Sequence, residues 1–350
     1  MNIFRSLLCL LLALVVTSGC GVTYSQWSFQ RELLATDAMA DRGEHEKARE
    51  GYLELAHKAS AQVDLQYLQY RAALMLEQMG RAQEALAEYE RMYTRPTNPY
   101  DDYAGRALYR TGVVYKTLLD DEATAREVWA SAVLAAPDSM FAEDALVELR
   151  RHALRSGTEL EFIEWMAKKY VQVQDREIAD NFVYETSKIL HDELGRCDEA
   201  MNLYATLIFN FTRSSFVDDA IWRSALCHRE MGRIDDEYRV LNDFVTAREH
   251  SVLVGDYNYA QYNPAHRRLA QIHEERGELR EAIREWRRFQ RVFTLSLDAD
   301  DVQYHIITLY EELGEVDQMR RYARELEKNW PESRYVSRAW ERVEAAEARQ

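Results

Sequence analysis

The sequence predicts an all-α array of about eight helix hairpins, and three observations carry that prediction. The first is a recurrent spacing. Gly195, Ala200, Tyr204 and Leu207 stand five, four and three residues apart, and the pattern returns at Gly43, Ala48, Tyr52 and Leu55, at Gly80, Ala85, Tyr89 and Met92, and at Gly277, Ala282, Trp286 and Phe289. A glycine lets the backbone leave one helix, a small residue five positions on allows two helices to approach, and an aromatic one turn later fills the space between them. The second observation is the period. Glycines at 43, 80, 157, 195, 232, 277 and 314 lie 37, 77, 38, 37, 45 and 37 residues apart. The interval of 77 holds two repeats, and its missing turn falls near Asp120 and Asp121, because Ala125, Trp129, Ala132 and Pro137 continue the second-helix pattern. The third is composition: only 5 prolines and 13 glycines in 350 residues, with 47% hydrophobic and 30% charged side chains, favour helix nearly throughout.

Taken from the start, the chain opens with Arg5, an apolar run from Leu7 to Val16, and T-S-G-C ending at Cys20. The run is too short to span a bilayer comfortably. Residues 1–19 resemble a bacterial lipoprotein signal peptide, which implies that Cys20 is lipidated and becomes the first mature residue; Thr17 departs from the aliphatic residue usual at its place in that motif. Gly21 stands where the resemblance would place an aspartate for inner-membrane retention, so the implied address is the outer membrane, with the chain facing the periplasm. Residues 20–25 then form a lipidated tether, and Trp27 and Phe29 either pack into the first hairpin, which is the default, or graze lipid. The hairpins occupy residues 26–332, and residues 333–350 read as a polar capping helix. A T-R-P-T-N-P break at 94–99 lengthens one loop, and eight extra residues near Tyr257, Tyr259 and Tyr262 enlarge another.

Small residues at the crossing, aromatic fill and a terminal proline resemble the tetratricopeptide repeat, seen well in Gly112, Tyr115, Ala125, Trp129, Ala132 and Pro137. That resemblance implies a right-handed superhelical solenoid. Phe162, Glu237 and Met319 replace the small residue in the fourth, sixth and eighth repeats, so those hairpins are expected to pack more loosely or at altered angles. A second signature, a serine followed by an aromatic two residues later and an alanine four after that, occurs at Ser139, Phe141 and Ala145, at Ser214, Phe216 and Ala220, and at Ser333, Tyr335 and Ala339. The serine can cap the following helix. This variant resembles the repeats of periplasmic outer-membrane-assembly lipoproteins of the BamD type and of Tol-Pal coordinator proteins.

A formal net charge of -16 argues against nucleic acid as a partner. No metalloprotease, phosphate-loop, dinucleotide or nucleophile-elbow motif is present, and no spacing marks a metal site or a cofactor. His266 and His273 read as a solvated pair, and the aspartate pairs 101–102, 120–121, 218–219 and 300–301 read as helix caps. Cys197 and Cys227 sit on neighbouring helices, either as a disulfide or as two separate small apolar residues. In tetratricopeptide repeats the first helix of each hairpin lines the groove, and counting back from each turn places Tyr67, Tyr70, Arg106, Tyr109, Lys116, Arg151, Trp222, Arg229 and Arg267 there. Aromatic and guanidinium groups together suit an extended peptide carrying apolar side chains and carboxylates. The reading is therefore a non-catalytic, lipid-anchored periplasmic scaffold for envelope proteins, serving outer-membrane protein assembly or envelope biogenesis. Two alternatives stand beside it: a pilotin-like helper of a secretin or motility complex, and an accessory or cryptic peptidoglycan-related hydrolase.

Overall fold

The computed structural model describes residues 24–59, 62–94, 102–249, 260–293 and 296–349. Cys20 and the signal segment, most of the T-R-P-T-N-P break, and Tyr257 and Tyr259 lie outside the described residues. The described residues form seventeen α-helices and no strand. Eight hairpins follow in order: α1 (Tyr24–Asp41) with α2 (His45–Lys58), α3 (Gln62–Gln78) with α4 (Ala82–Thr94), α5 (Tyr103–Leu118) with α6 (Glu122–Ala135), and α7 (Met140–Ser156) with α8 (Glu159–Val173). Then come α9 (Ala179–Lys188), extended by a π-helical turn at Ile189–Glu193, with α10 (Cys197–Asn210); α11 (Val217–Glu230) with α12 (Ile234–Glu249); α13 (Tyr262–Glu275) with α14 (Leu279–Val292); and α15 (Ala299–Glu312) with α16 (Val316–Asn329). A last helix, α17 (Tyr335–Glu347), follows. The chain divides into two compact units, Met1–Ala179 and Asp180–Gln350. No helix among the described residues is long and apolar enough to cross a membrane.

The turns explain the period. All seven turn glycines adopt left-handed backbone angles, with φ between 63° and 79°. The eighth turn uses Asp120 at φ 52°, the one other described residue with a positive φ. A side chain makes that conformation cost about 1–2 kcal/mol, which glycine avoids. Asp121 then caps α6 by accepting from the Thr124 amide at 3.0 Å.

The crossing positions are closed. Ala48, Ala85, Ala125, Ala200 and Ala282 are all fully buried, and the aromatics one turn on, Tyr52, Tyr89, Trp129, Tyr204 and Trp286, are buried against them. In the first unit Gly112 makes room for Trp129, whose indole nitrogen donates to the Tyr109 carbonyl at 3.1 Å.

The three departures are filled rather than loosened. Met319 is fully buried in the core of the last hairpins, and Phe162 is buried and stacks on Trp165 at 5.7 Å. Glu237 is also fully buried, but as one end of an ion-pair network. Overlap is avoided by chemistry in place of size.

Ser139, Ser214 and Ser333 each accept from the amide two residues on, at 3.1, 3.1 and 3.2 Å, as the capping signature requires. The aspartate pairs behave differently from the expectation. Asp121 is a side-chain cap, whereas Asp102 accepts from Ser139, Asp300 accepts from Ser333 at 2.6 Å, and Asp219 accepts from Tyr184 at 2.9 Å. Each of these ties one hairpin to the next. At the start of the chain, α1 begins at Tyr24, inside the stretch read as a tether, and Trp27 is 63% exposed while Phe29 packs against the first hairpins.

Candidate functional site

Within each unit, neighbouring first helices are joined by a ladder of charges. In the second unit an acid three residues before the turn glycine takes a cation from the next first helix: Asp192 takes Arg223 at 2.7 Å, Glu274 takes His305 at 3.0 Å, and Glu311 takes Arg342. In the first unit Glu77, three before Gly80, takes Arg110 in the same way. The third hairpin reverses the polarity, with Lys116 donating to Glu148 at 2.7 Å and Arg151 sharing that carboxylate. Burial pushes the Glu148 carboxyl up, but the bonds from Lys116 and Arg151 outweigh it and leave it below the ordinary range. The Glu274 carboxylate holds the His305 imidazole above its ordinary value against the opposing effect of burial.

The sequence-derived groove residues sit on this ladder or beneath it. In the first unit Tyr70 is buried against Tyr89 and Tyr103, and Arg106 lies between the rings of Tyr70 and Phe141, at 4.7 and 4.6 Å. Tyr109 stacks between Trp129 and Phe141, and Tyr67 meets Arg71 at 5.8 Å. Lys116 and Arg151 share Glu148. In the second unit Trp222 packs partly against the sixth and seventh hairpins, Arg229 donates to Glu237 at 2.8 Å, and Arg267 lies over Phe289 at 4.5 Å while pairing with Asp298. The structure thus joins Tyr70, Arg106 and Tyr109 into one stacked run and gives each of the five cations an internal partner. An acidic ligand reaching Lys116, Arg151, Arg229 or Arg267 would share each cation with a carboxylate of the protein itself. Sequence reasoning named Lys116, Arg151, Arg229 and Arg267 but not the acids that hold them, which lie 32, 3, 8 and 31 residues away.

A different surface is open. In the second unit α10, α11 and α12 enclose an apolar cleft of about 720 Å³, lined by Ile208, Phe209, Val217, Ile221, Val240 and Phe244 among others, with Asp218, His228 and Asp243 contributing polar groups. Phe209 is 77% exposed at its edge. A volume of that order fits side chains from a docked segment.

His266, expected in solvent, is fully buried against Tyr262 at 4.7 Å and Phe293 at 5.5 Å, and His273 Nδ1 lies 2.6 Å from the Glu278 carboxylate. Cys197 and Cys227 are buried free thiols and not a disulfide. His191 joins them, and one ligand atom from each of the three lies within 4.8 Å of the others. The sequence placed Cys197 and Cys227 on neighbouring helices but gave no hint of His191, which reaches them across the turn at Gly195.

The eight hairpins, their turns and their buried crossing residues meet a sequence match in the last of them. Residues 301–333 match the tetratricopeptide repeat model. That repeat covers the turn at Gly314, the buried Met319 and Tyr322, and the Ser333 cap of α17. No curated protein sequence matches the chain. Among solved structures, it is similar to the C-terminal part of a repeat-containing protein from Cytophaga hutchinsonii, with 12% identity, 77% of this chain and 98% of that chain covered, and a TM-score of 0.47. Similarity also extends to apo RapI (10% identity, 92% and 98% covered, TM-score 0.44) and to PilW, a type IV pilus biogenesis factor (16% identity, 80% and 100% covered, TM-score 0.33). At these identities and scores no function passes from them to this chain.

Proposed function

We propose that this chain is a non-catalytic, lipid-anchored scaffold on the periplasmic face of the outer membrane, holding a protein partner in outer-membrane protein assembly or envelope biogenesis. Helical repeats of the tetratricopeptide type are protein-interaction scaffolds, because a stack of hairpins presents a long surface that its own core does not use. The observation that carries the reading is the apolar cleft between α10 and α12, with Phe209 exposed at its edge. Its polar groups include Asp218 and Asp243, and the chain carries a net charge of -16. The fitting occupant is therefore a protein segment that presents apolar side chains flanked by lysine or arginine.

Two features support the membrane address. The segment ending at Cys20 resembles a lipoprotein signal, and the exposed Trp27 and Leu34, with Arg31 between them, place an apolar strip on α1 a few residues later. Tryptophan and arginine on one helix face suit the headgroup boundary. The test is crosslinking of the tagged chain in intact envelopes, with Phe209→Asp and Cys20→Ser variants beside it. The reading expects a protein crosslinked through cleft residues whose yield falls at least about tenfold in Phe209→Asp, and release of Cys20→Ser from the outer-membrane fraction. A partner retained in full by Phe209→Asp would remove the cleft from the mechanism, and a Cys20→Ser chain that still sediments with the outer membrane would remove the anchor.

A further inference from the structure

The fifth hairpin and the helix after it bring together soft and borderline metal ligands that the scaffold role does not use. His191 sits on the π-helical turn, Cys197 is the first residue of α10, and Cys227 lies on α11; all three are buried, with ligand atoms within 4.8 Å of one another. The left-handed turn at Gly195 brings Cys197 back beside His191. Glu230, one helical turn after Cys227, lies beside two of them. Its two carboxylate oxygens lie 3.3 Å from His191 Nε2 and 3.4 Å from Cys197 Sγ.

We propose that His191, Cys197, Cys227 and Glu230 form a zinc site of two thiolates, one imidazole and one carboxylate. Zinc–sulfur bonds of about 2.3 Å and zinc–nitrogen bonds of about 2.0 Å place tetrahedral ligand atoms roughly 3.5–4 Å apart. The three buried ligands are already close to that separation. The histidine is also prepared for ligation. Its Nδ1 faces the Tyr204 hydroxyl at 3.3 Å, which leaves Nε2 on the side of Glu230, and a ligating imidazole characteristically uses its second nitrogen in such an outer hydrogen bond. The backbone is a second observation independent of the side chains. The π turn closes with the Leu194 amide on the Ile189 carbonyl at 3.1 Å, and turns of this kind occur mostly as single insertions at functional sites.

Charge and access agree with an ion. Binding converts two thiols to thiolates and releases two protons to solvent, and no oxidant or reductant takes part. Two thiolates and one carboxylate around Zn²⁺ leave one negative charge, beside which Arg223 stands already paired with Asp192. The His191 side chain is 4% exposed while that of Glu230 is 56% exposed, so the carboxylate lies at the mouth through which a hydrated ion would arrive. A disulfide would use only the two sulfurs, whereas the imidazole lies within the same cluster and the Glu230 carboxylate borders it.

The experiment uses the full chain, purified under reducing conditions and stripped with a chelator, with zinc alone and then cobalt as probes. The expected result is one zinc per chain after gel filtration, a higher melting temperature with zinc, and tetrahedral cobalt absorption with thiolate charge-transfer bands. Cys197→Ser and His191→Ala should each weaken zinc binding by at least about 100-fold, and Tyr204→Phe, which keeps all four ligands, by about 10-fold. Far-UV circular dichroism establishes that each variant is folded, and Glu230→Gln serves as the variant of least structural consequence, with an altered cobalt spectrum expected. No retained zinc in the reduced chain would overturn the site, as would equal retention by a folded Cys197→Ser/Cys227→Ser variant. A Cys197–Cys227 crosslinked peptide from protein isolated without reductant would overturn it in favour of a redox pair.

Discussion

The fifth and sixth hairpins share a turn and differ in what they bury behind it. In each, a left-handed glycine, Gly195 or Gly232, is followed five residues later by a fully buried position. That position is Ala200 in one and Glu237 in the other. The fifth hairpin keeps its acid three residues before the glycine, where Asp192 takes Arg223 from the next first helix. In the sixth, Arg229 occupies that earlier place and the acid has moved to the crossing, where Glu237 accepts from Arg229 at 2.8 Å and from Arg268 at 2.7 and 3.0 Å. Bonds to Glu237, and then to Glu275, hold the Arg268 guanidinium above its ordinary value. The two sites have exchanged character together. A small crossing residue is therefore one solution to close helix approach, and a buried carboxylate is another once two arginines reach it.

Removing one arginine should break this arrangement most severely. Arg268→Ala leaves Glu237 buried with Arg229 alone and is expected to cost about 3–5 kcal/mol in urea unfolding. Rebuilding the neighbouring pattern, with Glu237→Ala and Arg229→Glu together, should cost less than about 1.5 kcal/mol, since Arg268 then meets an acid where Arg223 meets Asp192. A cost below about 1 kcal/mol for Arg268→Ala would mean that Arg229 suffices by itself.

The third hairpin extends the comparison, since it solves the approach with a second small residue. A Cβ at Gly112 would lie 2.3 Å from the Trp129 indole nitrogen. Gly112→Ala should therefore cost about 1–3 kcal/mol through overpacking, and a neutral result in thermal denaturation would show that the indole can move aside. A smaller effect is expected at the turns. Asp120→Gly removes the side-chain penalty at φ 52° and should stabilise by about 0.5–1 kcal/mol, while Gly232→Ala should destabilise by about 1 kcal/mol. Melting temperatures that moved together would contradict this account of the turn.

The smallest effect belongs to the ladder place held by His305 instead of arginine. Glu274 raises its pKa, so the contribution of this pair is complete below the ordinary histidine value and is lost as pH rises through the raised one. The ring is 39% exposed, and screening keeps the contribution under about 1 kcal/mol. Melting curves from about pH 5.5 to 8.5 should show a slope that His305→Arg reduces; equal slopes in the two proteins would assign the dependence elsewhere.

The hairpins were legible in the sequence because the turn asks for a conformation that glycine supplies at least cost, and because alanine and tyrosine recur where space is set by helix approach. Even the turn without glycine could be placed, since Ala125 and Trp129 mark it from the far side. Glu237 was legible as a departure but not as a solution, because Arg268 lies 31 residues away on another hairpin. The groove cations were read by type alone; the partners of Lys116 and Arg267 are fixed by the stacking of hairpins, while Arg151 and Arg229 find theirs within their own hairpin. Cys197 and Cys227 were read as neighbours, and His191 escaped because no short spacing joins it to two residues that meet across a turn and a hairpin junction.

The exchange at the sixth hairpin also bears on the order in which modules can be strung together. Most junctions of the ladder present an acid forward and a cation back, so adjacent hairpins of that kind would mate with one another in several sequences. The junction carrying Arg229 and Glu237 has the opposite gender at its ladder place and meets a matching partner in Arg268 and Glu275. A chain collapsing one hairpin out of step would bring Arg229 and Glu237 against His305, which stands in the place of Arg268 and offers a single imidazole where the arginine gives Glu237 two bonds. In a molecule built from similar pieces, that poorer match disfavours register-shifted docking during folding, a failure to which repeat proteins are otherwise prone.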